Sequence, residues 1–429
     1  MVGDIMILKV RNSKMTGTVD VPGSKSHTIR ALFFASLAEG KSTIRNPLVS
    51  SDALSAQSVC KSFGSDILFS NNEYTVVGFA GKPSTPENII DVGNSGTSLR
   101  LALMTAALTD GCTVLTGDYQ IRRRQIGPLV SAINNLGAEA YTTRGNGSAP
   151  VVVKGRAKGG STDLDAVTSQ YLSSLLMHAP LLEKDTHIKI TRLNEVPYVE
   201  LTLWWLDKLG IKYSHNDFND FTIPGGQSYK GFDCTIPGDF SSATFFMVLA
   251  AISGQQFELK NLDMSDPQGD KKVISILEQM GTQVSKSKGS IYVKGNGLKG
   301  IDIDMNSIPD ALPAMAVAGC FAEGETRLLN VPQARLKETD RIHVMCTELK
   351  KMGADIEELE DGLVIRKSKL VGCSVKGHDD HRVVMSMAIA GLCSEGETII
   401  DTAEAMNVTF PEFTNIVASC GGDISLVSE

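Results

Sequence analysis

Apolar, helix-like stretches that end in a hydrophobic residue followed by glycine, and then pass into a short strand pattern, occur six times along this chain. They close at Phe63-Gly64, Leu136-Gly137, Leu209-Gly210, Met280-Gly281, Met352-Gly353 and Cys420-Gly421. Glycine is the common stop of a helix because it takes the left-handed conformation there without a Cβ penalty. The glycines recur about every 70 residues, which is room for a whole multi-element unit. Each unit holds a second helix with a polar start and a mostly apolar body. Those starts read Gly23-Ser24-Lys25-Ser26, Gly93-Asn94-Ser95-Gly96, Thr168-Ser169-Gln170, Gly238-Asp239-Phe240-Ser241, Ile308-Pro309-Asp310 and Gly377-His378-Asp379-Asp380-His381-Arg382. Strand-like runs follow, as at residues 42–45, 325–329 and 397–400, so each copy predicts two helices and several short strands, an α+β unit.

Copies one and four match best, opening with Val21-Pro22-Gly23 and Ile236-Pro237-Gly238. This reads as a duplicated half of three units. One domain covers 21–235, and the other covers 1–20 with 236–429, taking in the first apolar run from Ile7 to Val10. A single solenoid is the alternative. The two Pro-Gly turns are the hinge candidates.

Composition narrows the class. A chain of 429 residues can bury large cores. Its longest apolar run, 311–322, is shorter than the ~20 residues that span a bilayer. The first residues lack a basic-then-apolar signal pattern. Eight scattered cysteines without a CxxC pair fit structural thiols in a reducing compartment, and no metal is expected. A net charge of −8 disfavours an extended nucleic-acid surface. The expectation is a cytoplasmic monomer acting on small molecules, and in so acidic a chain local cation clusters stand out.

Such clusters lie at the helix starts. Copy one sets Lys25, Ser26 and Arg30 around a Gly-Ser turn, where backbone N–H groups and the helix dipole favour an anion. A solvated cap accounts for the same residues, and the spacing is not that of a P-loop. Copy two offers Asn94, Gly96 and Arg100, with Gly96 suited to close backbone approach or to an ordinary capped turn. Arg124 stands just before Ile126-Gly127, at a helix entrance. Copy three supplies Thr168, Ser169 and Gln170, suited to phosphate oxygens or to plain capping. In copy five Asp310 is a helix cap or a general base. Downstream, Lys337 and Arg341 are four apart and would share one face of a helix. Copy six brings His381 and Arg382; the adjacent Arg argues for an anion grip over a metal site. Copy four has no cation, and its expected job is closure. Converging on one cleft, these groups would form a positive pocket between two closing lobes. The residues alone thus indicate an enzyme for small phosphorylated and carboxylated substrates, and do not name its reaction.

The segments Gly23-Ser-Lys-Ser-x-x-x-Arg30, Gly93-Asn-Ser-Gly-Thr-x-x-Arg100, Arg124-x-Ile-Gly, Thr168-Ser-Gln170, Pro197-Tyr198, Ile308-Pro-Asp310, Arg335-x-Lys-Glu-Thr-Asp-Arg341 and Asp380-His-Arg382 occur in order across nearly the whole chain. In this the chain resembles the 5-enolpyruvylshikimate-3-phosphate synthases. The resemblance implies an inside-out α/β barrel of six βαβαββ repeats, arranged as two three-unit domains around a cleft. It implies transfer of the enolpyruvyl group of phosphoenolpyruvate to the 5-hydroxyl of shikimate 3-phosphate, by addition and elimination and without cofactor or metal. Carried over, Lys25 lies between both substrates. Ser26 and Arg30 hold the shikimate carboxylate and Thr168 and Ser169 its phosphate, with Tyr198 and Gln333 nearby. Asn94, Gly96, Arg124 and Gln170 face the phosphate of phosphoenolpyruvate, and Arg341, His381 and Arg382 its carboxylate end. Asp310 takes the hydroxyl proton. Glu338, with Lys337, protonates the methylene carbon.

Four positions depart from the family pattern. Glu195 stands where Ser usually contacts the shikimate phosphate; a carboxylate there is repulsive, so it is expected to point away or the phosphate to be held differently. Gln333 replaces a common Asn, Val408 a common Lys, and Leu101 a common Pro. Three other readings compete. The UDP-N-acetylglucosamine enolpyruvyl transferases share the fold, but have Ser-Lys-Asn at the first helix start and a reactive Cys near the Arg122–Arg124 position, where this chain has none. Related repeat folds process RNA ends. A catalytically impaired binding homologue is the third reading.

Overall fold

The computed structural model of the chain describes residues 6–428. Residues 1–5 and Glu429, counted above with the second domain, lie outside the described residues. The chain divides into two compact units. One is Gly23–Ile236, and the other joins the residues up to Pro22 with those from Pro237 on.

The Gly23–Ile236 unit contains six α-helices: α1 (Lys25–Leu37), α2 (Ser51–Ser62), α3 (Gly96–Ala106), α4 (Gly127–Asn135), α5 (Ser169–His178) and α6 (Val196–Lys208). The other unit contains α7 (Phe240–Ser253), α8 (Lys272–Met280), α9 (Leu312–Phe321), α10 (Arg341–Lys351), α11 (His381–Leu392) and α12 (Phe413–Ser419). The two helices of each copy differ in kind. α1, α7, α9 and α11 are apolar nearly all round and buried nearly all round, as from His27 to Leu37 in α1 and throughout α11. By contrast α8 buries one stripe, Val273, Ile274, Ile276, Leu277 and Met280, at the i, i+3, i+4, i+7 spacing of a surface helix. In one unit α3 packs on α5 and α1. In the other α7, α9 and α11 pack on one another.

Sheets surround these cores. Among the described residues each unit has three, each of four strands. All six share one pattern: a first strand parallel to a second, which is antiparallel to a third, itself antiparallel to a fourth. Strand residues alternate in burial, as in Lys41–Arg45, where Ser42 and Ile44 turn inward, so one face lies on helices and the other meets water. Met6–Arg11 lies between Glu397–Ile400 and Asp423–Ser428, which ties the chain's two ends into one sheet. Gly17–Asp20, just before α1, pairs with Gln256–Lys260, which follows α7. Asp233–Thr235, just before α7, pairs with Lys41–Arg45, which follows α1. The first strands of copies one and four are thus exchanged. The fold is α+β with helices inside and sheets outside. The barrel implied by the resemblance is not a closed hydrogen-bonded one: among the described residues each sheet is an open ribbon with two edge strands. No helix is long and apolar enough to cross a membrane among the described residues.

Candidate active site

In the Gly23–Ile236 unit the functional candidates gather at helix starts. Lys25, the first residue of α1, places Nζ 3.2 Å from the buried Asp52 carboxylate of α2. Arg30 lies one turn further and is 4 % exposed. Its Nε donates to Thr202 Oγ1 at 2.9 Å, Nη1 to the Ser26 carbonyl at 3.2 Å, and Nη2 to Ser173 Oγ and the Tyr198 carbonyl at 3.3 and 3.1 Å. All four acceptors are neutral. Burial lowers the Arg30 pKa to about 10. A cation buried among hydroxyls and carbonyls is costly unless an anion joins it, which makes Arg30 a candidate anion receptor.

The start of α3 is capped by Ser95, whose Oγ accepts from Ser98 N. Arg100 turns back one turn and donates to the Gly96 carbonyl at 2.9 Å. A Cβ on Gly96 would lie 2.5 Å from Nη1 of Arg100 and 2.5 Å from Nη1 of Arg124. Glycine is favoured here by this close approach of two flexible side-chain ends; its φ is not in the left-handed region. Asn94 uses its amide to fasten the next loop, donating to Asp118 Oδ2 at 2.6 Å and Gln120 Oε1 at 2.5 Å. The Tyr171 hydroxyl donates to the Gln125 carbonyl, so α5 anchors the segment that carries Arg124. At the start of α5, Thr168 accepts from Gln170 N as an N-cap. Gln170 Oε1 is buried and has no donor among the described residues.

Glu195 does not point away. Its carboxylate is 2 % exposed, and Oε2 accepts from Thr168 Oγ1 at 3.1 Å, Ser169 N at 3.1 Å and Ser169 Oγ at 2.8 Å. The cause is backbone geometry: Glu195 sits at φ +60°, in the left-handed region, as the N-cap residue of α6, and this turns the side chain back onto the start of α5.

In the other unit the candidates form a charge cluster around Arg341, which is 1 % exposed. Its Nε donates to Asp380 Oδ2 at 2.8 Å, Nη1 to Asp310 Oδ1 at 2.9 Å and Nη2 to Glu338 Oε2 at 2.7 Å. Burial opposes the charge, but the carboxylates of Asp380, Glu338 and Asp310 outweigh it and raise the guanidinium pKa further. Burial likewise opposes ionisation of Asp380, and Arg341 holds that carboxyl below its ordinary range. Lys337 Nζ lies 3.6 Å from Asp310 Oδ1, and Arg382 Nη2 lies 3.1 Å from Asp310 Oδ2. Asp310 sits in a 3₁₀ turn, Pro309–Ala311, and does not cap α9, whose N-cap is Ala311. Its carboxylate is committed to cations. His381 is buried at the start of α11, and Gln333 is buried with Nε2 donating to the Asn306 carbonyl at 3.0 Å.

The expected helix face is corrected as well. Lys337 and Arg341 do not share a helix face, because Asp340 caps α10 through His343 N and the helix begins only at Arg341. They meet through a common target, Asp310. Copy four, expected to serve closure, makes contacts in the cluster: Ser241 Oγ accepts from Arg382 Nη2 at 2.9 Å and donates to Asp270 Oδ2 at 2.7 Å. Sequence reasoning missed Ser241, Asp270 and Asp52. The only local signal for Ser241 was its place at a helix start equivalent to Lys25 and Gly96.

Burial, reinforced by Asp310 and opposed by Arg382, pushes the Asp270 carboxyl up to about 6 from 3.8. Between those values the folded state binds more protons than the unfolded one, so this group's contribution to stability falls as pH rises through the window and is constant above it. Asp270→Asn is therefore expected to gain on the parent between pH 3.8 and about 6, with a constant difference above. Thermal unfolding across that window checks this; a pH-independent difference contradicts it.

Comparison with known proteins agrees with these features. A sequence model of the family EPSP synthase (3-phosphoshikimate 1-carboxyvinyltransferase) matches residues 10–417. The chain is 70% identical over 422 residues to the 3-phosphoshikimate 1-carboxyvinyltransferase of Ruminiclostridium cellulolyticum, covering 98% of this chain and 100% of that protein. It is 68% identical to that of Acetivibrio thermocellus, covering 98% and 99%. A solved structure of EPSP synthase from Acinetobacter baumannii matches with a TM-score of 0.83 at 30% identity, covering 99% of this chain and 100% of that one. With 98% of the chain matched at this identity and its motifs in place at the helix starts, the chain belongs to the EPSP synthase family.

Proposed function

We propose that this chain transfers the enolpyruvyl group of phosphoenolpyruvate to the 5-hydroxyl of shikimate 3-phosphate, releasing phosphate. The observation that carries the reading is the pairing of Asp310 and Glu338 on one buried guanidinium. Addition and elimination require a base for the hydroxyl, an acid for the methylene carbon and a fixed cation for the donor's charge. Asp310 takes the hydroxyl proton as the oxygen adds to C2 of phosphoenolpyruvate. Glu338, with Lys337 beside the Asp310 carboxylate, protonates C3. Loss of a proton from the resulting methyl group and departure of phosphate then regenerate the enol ether. Arg341, Arg382 and His381 receive the donor carboxylate. Arg124, Gln170, Asn94 and the Gly96 backbone serve its phosphate. Arg30 and Ser26 receive the acceptor carboxylate, with Tyr198 and Gln333 shaping its surroundings, and Thr168 and Ser169 serve the acceptor phosphate. Lys25 serves both substrates. Phosphate release from phosphoenolpyruvate that depends on shikimate 3-phosphate tests this; folded protein that releases none would make the chain a binding homologue.

Gly96→Ala probes the donor side. The added Cβ meets the far ends of Arg100 and Arg124, which the fold absorbs by moving those guanidinium groups. Such overpacking costs about 1–3 kcal/mol, so KM for phosphoenolpyruvate should rise roughly tenfold or more, with KM for shikimate 3-phosphate little changed. Steady-state kinetics in each substrate decide; equal KM values for phosphoenolpyruvate in variant and parent contradict the placement.

A further inference from the structure

The Glu195 carboxylate fills a place built for an anion. Three donors reach its Oε2: two hydroxyls and the Ser169 N–H at the start of α5, where the helix dipole adds to their effect. The ten-residue helix does not need Glu195 as a cap, because Thr168 already serves Gln170 N. The position is also held at a conformational cost. A non-glycine residue in the left-handed region is rare, and such residues concentrate at functional sites. The Glu195 carbonyl accepts from Tyr198 N at 3.0 Å, which locks the turn into α6.

We propose that Glu195 is an internal anion that occupies the acceptor's phosphate subsite, so that acceptor phosphate and Glu195 carboxylate compete for Thr168 and Ser169. The inference rests on the acceptor reading given under Proposed function. Both anions cannot sit on these donors, since a carboxylate and a phosphate a few ångströms apart repel in a site shielded from water. Binding of a phosphorylated acceptor therefore displaces the side chain, and acceptor affinity carries the cost of breaking the three hydrogen bonds on Oε2. An acceptor analogue without the phosphate leaves Glu195 in place. Glu195 thus acts as a specificity-determining residue through a device internal to the chain.

The test compares the parent with Glu195→Ser and Glu195→Gln, in KM for shikimate 3-phosphate and in affinity for shikimate measured by calorimetry. Hydrogen bonds to a charged group contribute about 1.5–3 kcal/mol, so Glu195→Ser should lower KM for shikimate 3-phosphate by about tenfold or more. The gain should fall on KM and not on kcat, because the displacement is complete before chemistry. Glu195→Gln keeps the shape without the charge and should lower KM by a smaller factor. Affinity for shikimate should move less than about twofold, a split that a merely structural role would not produce. An unchanged or raised KM in both variants overturns the inference, as does an equal shift for shikimate. Parent turnover is measured first: its absence overturns the acceptor reading itself, whereas turnover with unchanged KM in the variants overturns only the role of Glu195.

Discussion

Asp310→Asn is expected to lower kcat by about 10²–10⁴-fold, the range for loss of a positioned proton-transfer group, without raising KM for phosphoenolpyruvate. Asp310 touches Lys337, Arg341 and Arg382, and its carboxylate partly neutralises the same cations that are proposed to receive the donor. Asn keeps the shape and removes the negative charge, so the cluster becomes more attractive to an anion while losing its base. Arg341 stays compensated by Asp380 and Glu338. The two effects separate in steady-state kinetics: turnover collapses and donor affinity holds or improves. A kcat within tenfold of the parent, or a KM for phosphoenolpyruvate that rises with the loss of turnover, contradicts the assignment of Asp310 as base.

Arg341→Met should abolish turnover and also destabilise the unit that contains it, by about 3–5 kcal/mol at neutral pH. The substitution leaves Asp380, which is 0 % exposed, buried without the cation that holds it ionised. The pH dependence has a definite sign. In the parent the Asp380 pKa is depressed, so the pair contributes stability above the ordinary carboxylate range and loses it as pH falls through the lowered value. The variant lacks that contribution. The gap between the two proteins should therefore be widest near neutrality and narrow on acidification. Both tryptophans, Trp204 and Trp205, lie in the Gly23–Ile236 unit, so circular dichroism and not tryptophan fluorescence should follow the transition. Stability within 1 kcal/mol of the parent at neutral pH would show that the Arg341 cluster is not held together as described.

How much of this the sequence carries differs by kind of information. Helix stops at Gly64, Gly137 or Gly281 and helix starts at Thr168 or Asp380 are local, since caps and left-handed glycines act within a few residues. The repeat, the fold class and the residues at the helix starts follow from them. Information that crosses the chain is not visible in this way. The exchange of Gly17–Asp20 with Asp233–Thr235 is a pairing between segments far apart in sequence, and nothing in either strand announces its partner. Ser241 carries no local mark of its role, because that role depends on Arg382, which arrives from copy six, and on Asp270, 29 residues further along its own copy. Lys337 and Arg341 suggested a helix face, yet Asp340 starts the helix later and the two converge on Asp310 instead. The charge of Glu195 leaves two outcomes open, an outward side chain or a phosphate held differently. The left-handed backbone at that residue, which charge does not reveal, turns it inward.

The central claim is that this arrangement of anion receptors serves one donor and one acceptor. The most direct measurement incubates the protein with phosphoenolpyruvate, shikimate 3-phosphate and UDP-N-acetylglucosamine together and follows all phosphorus species by ³¹P NMR. The account predicts that the phosphoenolpyruvate signal is lost in step with the appearance of inorganic phosphate and a shifted shikimate 3-phosphate resonance, while the sugar nucleotide is untouched. Consumption of phosphoenolpyruvate with modification of the sugar nucleotide alone would contradict it.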